Sequence, residues 1–474
     1  MNNKYPRKLF LKLTAFAHAA FFLKPLDTLA RLETGGAGTA DNVIFYKQGS
    51  AQYEILRKGF NKRINKYPAV IALAKNTAGV VEAIRYAAQQ NLPVAIKSGG
   101  HSMEGFSCND GGMVINLSGM KTTSWMSNGR LLVQPGCLLA QLYDTLLSKN
   151  RYLPGGSCGS VGIGGLTLGG GYGLLSRKYG LTCDNLEEVT MVDGSGNIVN
   201  SAADPELLWA CRGGGNGNFG VITEMKFKTY PAPATMQSFR FRAFKTDAVR
   251  MKKITQQWFL LTQNLPVSCF SALVLSAKTV YILLTNIAAH TAEVEKVVQQ
   301  LTNLTDKKTA TRPVPLAQAL KVFYAEDHPI FFKNASAGLY KSFDDISNCI
   351  DAVLDITRNT PGMIYQINTL GGNIQSSDAE KASAFPHRAC NYFSELQTYW
   401  ETTSQGNRLQ QRFEAVQAVF SDNGIRTQYR NYPDIHFKDW EQLYYGANYE
   451  RLQRVKAKYD PDNRIRHEQS VRLP

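Results

Sequence analysis

The chain has 474 residues, 44% of them hydrophobic and 19% charged, a balance that excludes a disordered polymer and suffices for two or three folding units. Its formal charge is +15, from 53 Lys and Arg against 38 Asp and Glu, which favours anionic partners at long range. The basic residues are scattered, with no Lys/Arg block interleaved with aromatics, so a solvated basic surface is expected and nucleic-acid binding is not.

Residues 1–37 read as a leader. Lys4, Arg7 and Lys8 precede the apolar run Leu9 to Leu23, broken by Lys12, with small residues Ala15, Ala17, Ala19 and Ala20 for cleavage. The run Arg7-Lys8-Leu9-Phe10-Leu11-Lys12 resembles a twin-arginine export signal with lysine in the second place, and predicts a periplasmic or extracellular protein. No later stretch approaches the roughly 20 apolar residues of a membrane span, so no stable span is expected. The eight cysteines include no CxxC pair, and no metal site is predicted. They are too sparse for a disulfide scaffold; export leaves room for one or two bridges, and most are expected as buried fillers.

From about Tyr67 to Tyr230 short strands alternate with helices. Val70–Leu73 reads as a strand, and Asn76 or Thr77 caps a helix with Val80, Val81, Ile84 and Ala88 at helical spacing. Pro93–Ile96, Val114–Leu117 and Leu131–Val133 are further strands, and Cys137 to Leu147 a helix. From Ser238 to Asn423 alternating stretches such as Ser238–Arg242 and Val280–Leu284 predict a largely antiparallel sheet, with helices over Thr246 to Leu261 and Thr291 to Leu301. The expected fold class is α+β.

Glycine motifs carry the functional signal. Gly215-Asn216-Gly217-Asn218-Phe219-Gly220 fits GxGxxG, but Asp204-Pro205-Glu206 starts a helix before it and Val221–Phe227 is a strand after it. A Rossmann fingerprint needs strand, loop, helix, so a glycine turn near a cofactor is the better reading. Two other loops are glycine-dense and each holds one reactive side chain: Lys97-Ser98-Gly99-Gly100-His101-Ser102, and Pro154 to Gly165 around Cys158. Glycine lets backbone amides approach a flat, anionic ligand closely, and a thiol there can serve as nucleophile or covalent anchor.

These loops, with Ser176–Asn185, Ala384–Arg388, Asn431-Tyr432-Pro433-Asp434, Asp460–Asn463 and Glu468-Gln469-Ser470, resemble berberine bridge enzyme-like oxidases, whose FAD domain is of the vanillyl-alcohol oxidase type. The resemblance implies a two-subdomain FAD-binding domain over 38–230, an antiparallel-sheet-plus-helices substrate domain over 231–424, and a segment 425–474 returning to the FAD domain. It implies FAD bound covalently through His101 and Cys158. Lys97, Ser98, Gly99, Gly100, Ser102, Gly159, Ser160, Gly162, Gly164, Gly165, Gly220, Val221, Ile222, Asn431 and Asn463 would contact it. Tyr432 matches the base of alcohol-oxidising relatives, and the neighbouring catalytic Glu/Gln position falls at Glu395 or Gln397. Val161 matches a position where valine admits O2 to the flavin. The implied reaction is hydride removal from an alcohol carbon of a carbohydrate or secondary metabolite, with O2 reduced to H2O2; a dehydrogenase passing electrons to another acceptor is the alternative. A purely structural flavin on a surface-binding protein is a further, non-enzymatic alternative. Two departures stand out: Met103 replaces a common tyrosine, and Phe393 and Ser394 occupy the region of an assisting lysine. Phe323, Tyr324, Phe331, Phe332, Tyr365, Tyr392 and Tyr399 are candidate sugar-stacking aromatics, most of them expected in the core.

Overall fold

Strands apolar on both faces need covering on both sides, and Val70–Ala74 and Met113–Asn116 occupy the middle of the first sheet. The computed structural model describes residues 41–324 and 328–474; the leader at 1–37 lies outside them. The first sheet has the order Val43–Tyr46, Val70–Ala74, Met113–Asn116, Val94–Lys97, with the last three strands parallel. Asn76 caps the helix Thr77–Gln89 by accepting the Gly79 amide at 2.9 Å. The buried face of that helix is Val80, Ala83, Ile84 and Ala87; Ala88 is exposed, because the face runs one residue ahead of the predicted register.

A second, antiparallel sheet runs Thr123–Trp125, Arg130–Val133, Gly220–Lys228, Leu186–Asp193, Ile198–Asn200. The helix Pro205–Cys211, capped by Asp204, precedes the glycine turn and the strand Gly220–Lys228, the reverse of a Rossmann order. The third sheet has eight strands, all antiparallel, and spans Thr235 to Trp400. The helices Ala248–Thr262, Ala292–Leu304, Ile350–Arg358 and Thr403–Asp422 cover one of its faces, around Trp258, Leu301, Val353 and Phe413. Alternation along Tyr392–Trp400 therefore buries Tyr392 and Leu396 against helices and turns Phe393, Glu395, Gln397 and Tyr399 to the other face.

That other face looks back at the glycine loops. The tail closes the remaining side: Tyr429 to Asp434 passes between the units, and the helices Trp440–Tyr445 and Tyr449–Tyr459 pack into the core of the second sheet. Ile465 then pairs with Val94 beside the first sheet. All eight cysteines are free, seven buried and Cys158 half-buried, so the room left for bridges is not used. Among the described residues no helix is long and apolar enough to cross a membrane.

Candidate active site

A cavity of about 1610 Å³ lies between the glycine loops and the eight-stranded sheet. It exceeds the roughly 300–1,000 Å³ of ordinary small-molecule pockets, enough for a large cofactor and a second ligand together. Its loop wall exists because two backbones touch. A Cβ on Gly99 would lie 2.3 Å from the Gly162 amide nitrogen, and one on Gly162 would lie 2.1 Å from Ser98 Oγ. Ser98 itself is fixed by donating to the Pro135 carbonyl at 2.6 Å.

This contact brings the two reactive side chains together. Ser160 Oγ lies 3.0 Å from His101 Nε2 and 3.5 Å from Cys158 Sγ. The imidazole stacks on Phe60, with ring centroids 4.2 Å apart, and burial pulls its pKa down to about 4. It is therefore neutral, with a lone pair, across the physiological range.

On the sheet wall, hydrogen-bonded side chains form a ladder. Tyr399 donates to Gln397 Oε1 at 2.8 Å, and Gln397 Nε2 approaches Gln366 Oε1 at 3.5 Å. Gln366 donates to Asn368 Oδ1 at 2.9 Å, and Asn368 to Glu395 Oε1 at 3.4 Å. Asn334 reaches the other carboxylate oxygen at 3.0 Å. Strand pairing explains the convergence, since Gln366 stands opposite Glu395 and Asn334 opposite Gln397. Burial raises the Glu395 carboxyl above its ordinary range, while the amide donors pull the other way. Tyr432, on the tail, borders the cavity with its ring 5.3 Å from Phe393. Burial and the nearby Glu395 push its phenol well above the usual value.

The family model of the FAD binding domain matches residues 68–202, and that of berberine and berberine-like proteins matches residues 428–472. The FAD-linked oxidoreductase YgaK of Bacillus subtilis is 30% identical over 430 residues, covering 88% of this chain and 94% of that protein. The chain belongs to the berberine bridge enzyme-like FAD-linked oxidoreductases. Glucooligosaccharide oxidase of Sarocladium strictum is 28% identical over 459 residues, covering 90% of this chain and 91% of that enzyme. The crystal structure of aclacinomycin oxidoreductase superposes with a TM-score of 0.84 at 25% identity, covering 92% of this chain and all of that one. The fold is thus the vanillyl-alcohol oxidase type with its antiparallel substrate sheet, and the protein is an FAD-dependent oxidoreductase.

The residues present fit such a cofactor. A Cβ on Gly165 would find only Asn216 Nδ2, at 3.8 Å, so the loop faces open space there, and Asn334 Oδ1 is buried without a partner at the sheet wall. Of the contacts expected from this berberine bridge enzyme-like family, Ser98, Gly99, Gly100, His101, Ser102, Cys158, Gly162, Gly164, Gly165, Gly220, Ile222 and Asn431 border the cavity, as do Val161, Glu395, Gln397 and Tyr432.

Five expected contacts do not border it. Strand alternation turns Ile96 inward and Lys97 outward, where its ammonium donates to the Leu56 and Lys58 carbonyls and burial lowers its pKa to about 8. Val221 alternates away from Gly220 and Ile222 into the core with Val192 and Ile465. Gly159 packs under Tyr324 and Ala140, and Ser160 sits behind His101 and Cys158. Asn463 takes φ +49° in the turn after Asp460, outside the lining. Of the aromatics, Phe323, Tyr324, Phe332 and Tyr399 face the cavity, Tyr365 and Tyr392 face the helices, and Phe331 packs on Trp400.

Sequence reasoning missed the supports. Polar residues at alternate positions of an otherwise apolar strand, Gln366 and Asn368 in Met363–Thr369, were the available signal. A buried charge cluster also escaped it. Lys333 Nζ lies 2.9 Å from Asp434 Oδ1 and 3.6 Å from Glu104 Oε1, and Arg63 pairs with Glu104 at 2.7 Å. It ties the loop after His101 to the strand bearing Asn334 and to the segment bearing Tyr432. Asp434→Ala leaves Lys333 only Glu104, which is farther away and shared with Arg63, and is expected to cost about 3 kcal/mol, seen as a lowered Tm that Lys333→Met in the same chain partly restores.

Proposed function

We propose that the protein is an oxidase carrying FAD through two covalent links, to His101 and Cys158. Its substrate is an alcohol carbon of a carbohydrate or secondary metabolite, and its second product is H2O2. The observation that carries this reading is that an imidazole and a thiol from separate loops both border the cavity and meet at one hydroxyl just behind its wall. A neutral imidazole has the lone pair that such a bond requires.

Bound FAD supplies the hydride acceptor and the passage of electrons to O2. The chain's own residues manage the proton. Glu395, held at both oxygens by Asn334 and Asn368, takes the proton of the substrate hydroxyl. Tyr432 stays protonated at neutral pH, because burial and Glu395 both oppose the phenolate, and its hydroxyl, which no described residue hydrogen-bonds, donates to the substrate oxygen. In this proposal Glu395 rather than Tyr432 is the base, and Gln397 is a link of the ladder. The ladder and the nearby Tyr324, Phe332 and Tyr399 suit a polyhydroxylated substrate, in keeping with the glucooligosaccharide oxidase among the relatives. In this reading 38–230 with 425–474 hold the cofactor, 231–424 hold the substrate, and the leader directs export.

Acid precipitation tests the links. The denatured pellet is expected to stay yellow, His101→Ala and Cys158→Ala each to keep one link, and the double variant to release its colour. Pigment released from the unaltered protein would refute the covalent reading. Reoxidation of the reduced protein by air within seconds identifies an oxidase, and sluggish reoxidation the dehydrogenase alternative.

A further inference from the structure

The cavity carries an arginine that the proton chemistry does not use. Arg430 is 3% exposed, yet it borders the cavity, and it shares no contact with Glu395. Its Nε donates to Tyr445 Oη at 2.9 Å, and its guanidinium lies between the rings of Phe106 and Tyr444, at 5.7 and 5.5 Å. These contacts fix the group in place.

They supply no negative charge. Among the described residues no carboxylate comes within 4 Å of Arg430. Its other neighbour is His467, whose Nε2 lies 3.2 Å from Nη2. His467 Nδ1 accepts the Gln469 amide at 3.2 Å, so the ring proton sits on Nε2, which faces the Asn216 carbonyl at 3.3 Å. A protonated Nε2 cannot accept from Arg430. The Nη edge is left without an acceptor in the protein, beside a cavity, and a buried guanidinium in that condition calls for an anion.

We propose that Arg430 is the cationic contact for the diphosphate of FAD. The assignment rests on FAD occupying the cavity, and not on how FAD is attached. Position separates diphosphate from substrate. Phe106, on which the guanidinium rests, is held by Ser102, whose hydroxyl accepts the Phe106 amide at 2.9 Å in the loop directly after His101. Gly217 and Gly165 border the same cavity, and a Cβ on either would meet no protein atom closer than 3.5 Å, which leaves room for a linear anionic chain. A diphosphate offers a fixed pair of charges and oxygen acceptors matched to a guanidinium fork.

The test uses the full chain with His101→Ala and Cys158→Ala, so that flavin binds reversibly, with and without Arg430→Gln. Dissociation constants for FAD and riboflavin are read from flavin fluorescence, with Tm of the apo and FAD-loaded forms. Loss of a charged hydrogen bond is expected to weaken FAD about 10- to 100-fold while riboflavin changes less than about threefold. The apo Tm is expected to hold or rise, since a stranded charge has been removed, and Arg430→Lys to recover part of the FAD affinity. Equal losses for FAD and riboflavin, an unchanged FAD constant, or no gain of Tm from FAD in the background chain would overturn the assignment. So would an unchanged FAD constant with KM raised only for anionic substrates, which would give Arg430 to the substrate. Because the background chain has neither link, failure here is distinct from failure of the covalent reading.

Discussion

Glu395→Gln is expected to lower kcat by about 10²- to 10⁴-fold, the usual contribution of a positioned general base. The variant keeps the size of the original: its oxygen still accepts from Asn368, and its new NH2 donates to Asn334 once that amide turns its unpartnered Oδ1 inward, so the fold and flavin content should be unchanged. Burial raises the carboxyl in the folded protein, so its proton binds more tightly than in the unfolded chain. In the unaltered enzyme kcat should therefore fall as pH drops through a value above the ordinary carboxylate range, and Glu395→Gln should abolish that limb. A raised folded pKa means the ionised form is disfavoured on folding: stability is greatest in acid and declines as pH rises through the folded value. At neutral pH the glutamine variant should accordingly melt higher than the original. A variant that keeps its activity, or loses it while keeping the acid limb, would remove Glu395 from the chemistry and return the base to Tyr432. Tyr432→Phe is expected to act more mildly, since it deletes one hydrogen bond to the substrate oxygen.

Gly99→Ala should separate the two reactive loops. Its Cβ would lie 2.3 Å from the Gly162 nitrogen, 2.9 Å from the Gly162 Cα and 3.1 Å from the Ser160 carbonyl oxygen. All three are backbone atoms and none can rotate away, so the loops must part by more than a tenth or two of an ångström. Overpacking of this kind costs about 1–3 kcal/mol or more. The larger effect is on His101 and Cys158, whose shared hydroxyl belongs to Ser160. The variant is expected to purify with little flavin, or with flavin held through a single link, as read from the ratio of visible to ultraviolet absorbance and from the acid pellet. Gly165→Ala provides the contrast, because its Cβ meets nothing closer than 3.8 Å in the protein. It should keep the apo Tm while crowding the ligand. Full flavin content and both links in Gly99→Ala would show that the loop contact is not what aligns the pair.

The glycine loops were legible in the sequence because their chemistry is local: one short run holds each reactive residue and the backbone freedom around it. The strand–helix order was legible for the same reason, through caps such as Asn76 and Asp204 and through apolar periodicity. Lys97 and Val221 show where proximity in sequence misleads, since each adjoins a lining residue yet points to the opposite face of its strand. The partners of Glu395 were harder still. Asn334 and Asn368 come from two other strands, and only the pairing of those strands puts them on one carboxylate, with Gln366 behind Asn368. Arg63, Glu104, Lys333 and Asp434 are charged residues of ordinary appearance, and nothing local marks them for burial. Arg430 adjoins Asn431 and Tyr432 in one motif, and only the packing of Phe106, Tyr444 and His467 around it distinguishes it from a surface arginine.

The charge cluster has a consequence for biogenesis. Lys333 is made, on the edge strand of the large sheet, long before the ribosome reaches Asp434, and Trp440, Tyr444, Tyr445 and Leu452 of the last segment are needed to finish the core behind the glycine turn. A nascent polypeptide therefore lacks the nearer of the two carboxylates beside that ammonium, and keeps an open flank, until its final stretch is made. Chains cut short before that stretch are therefore expected to purify without pigment, as read from their visible absorbance.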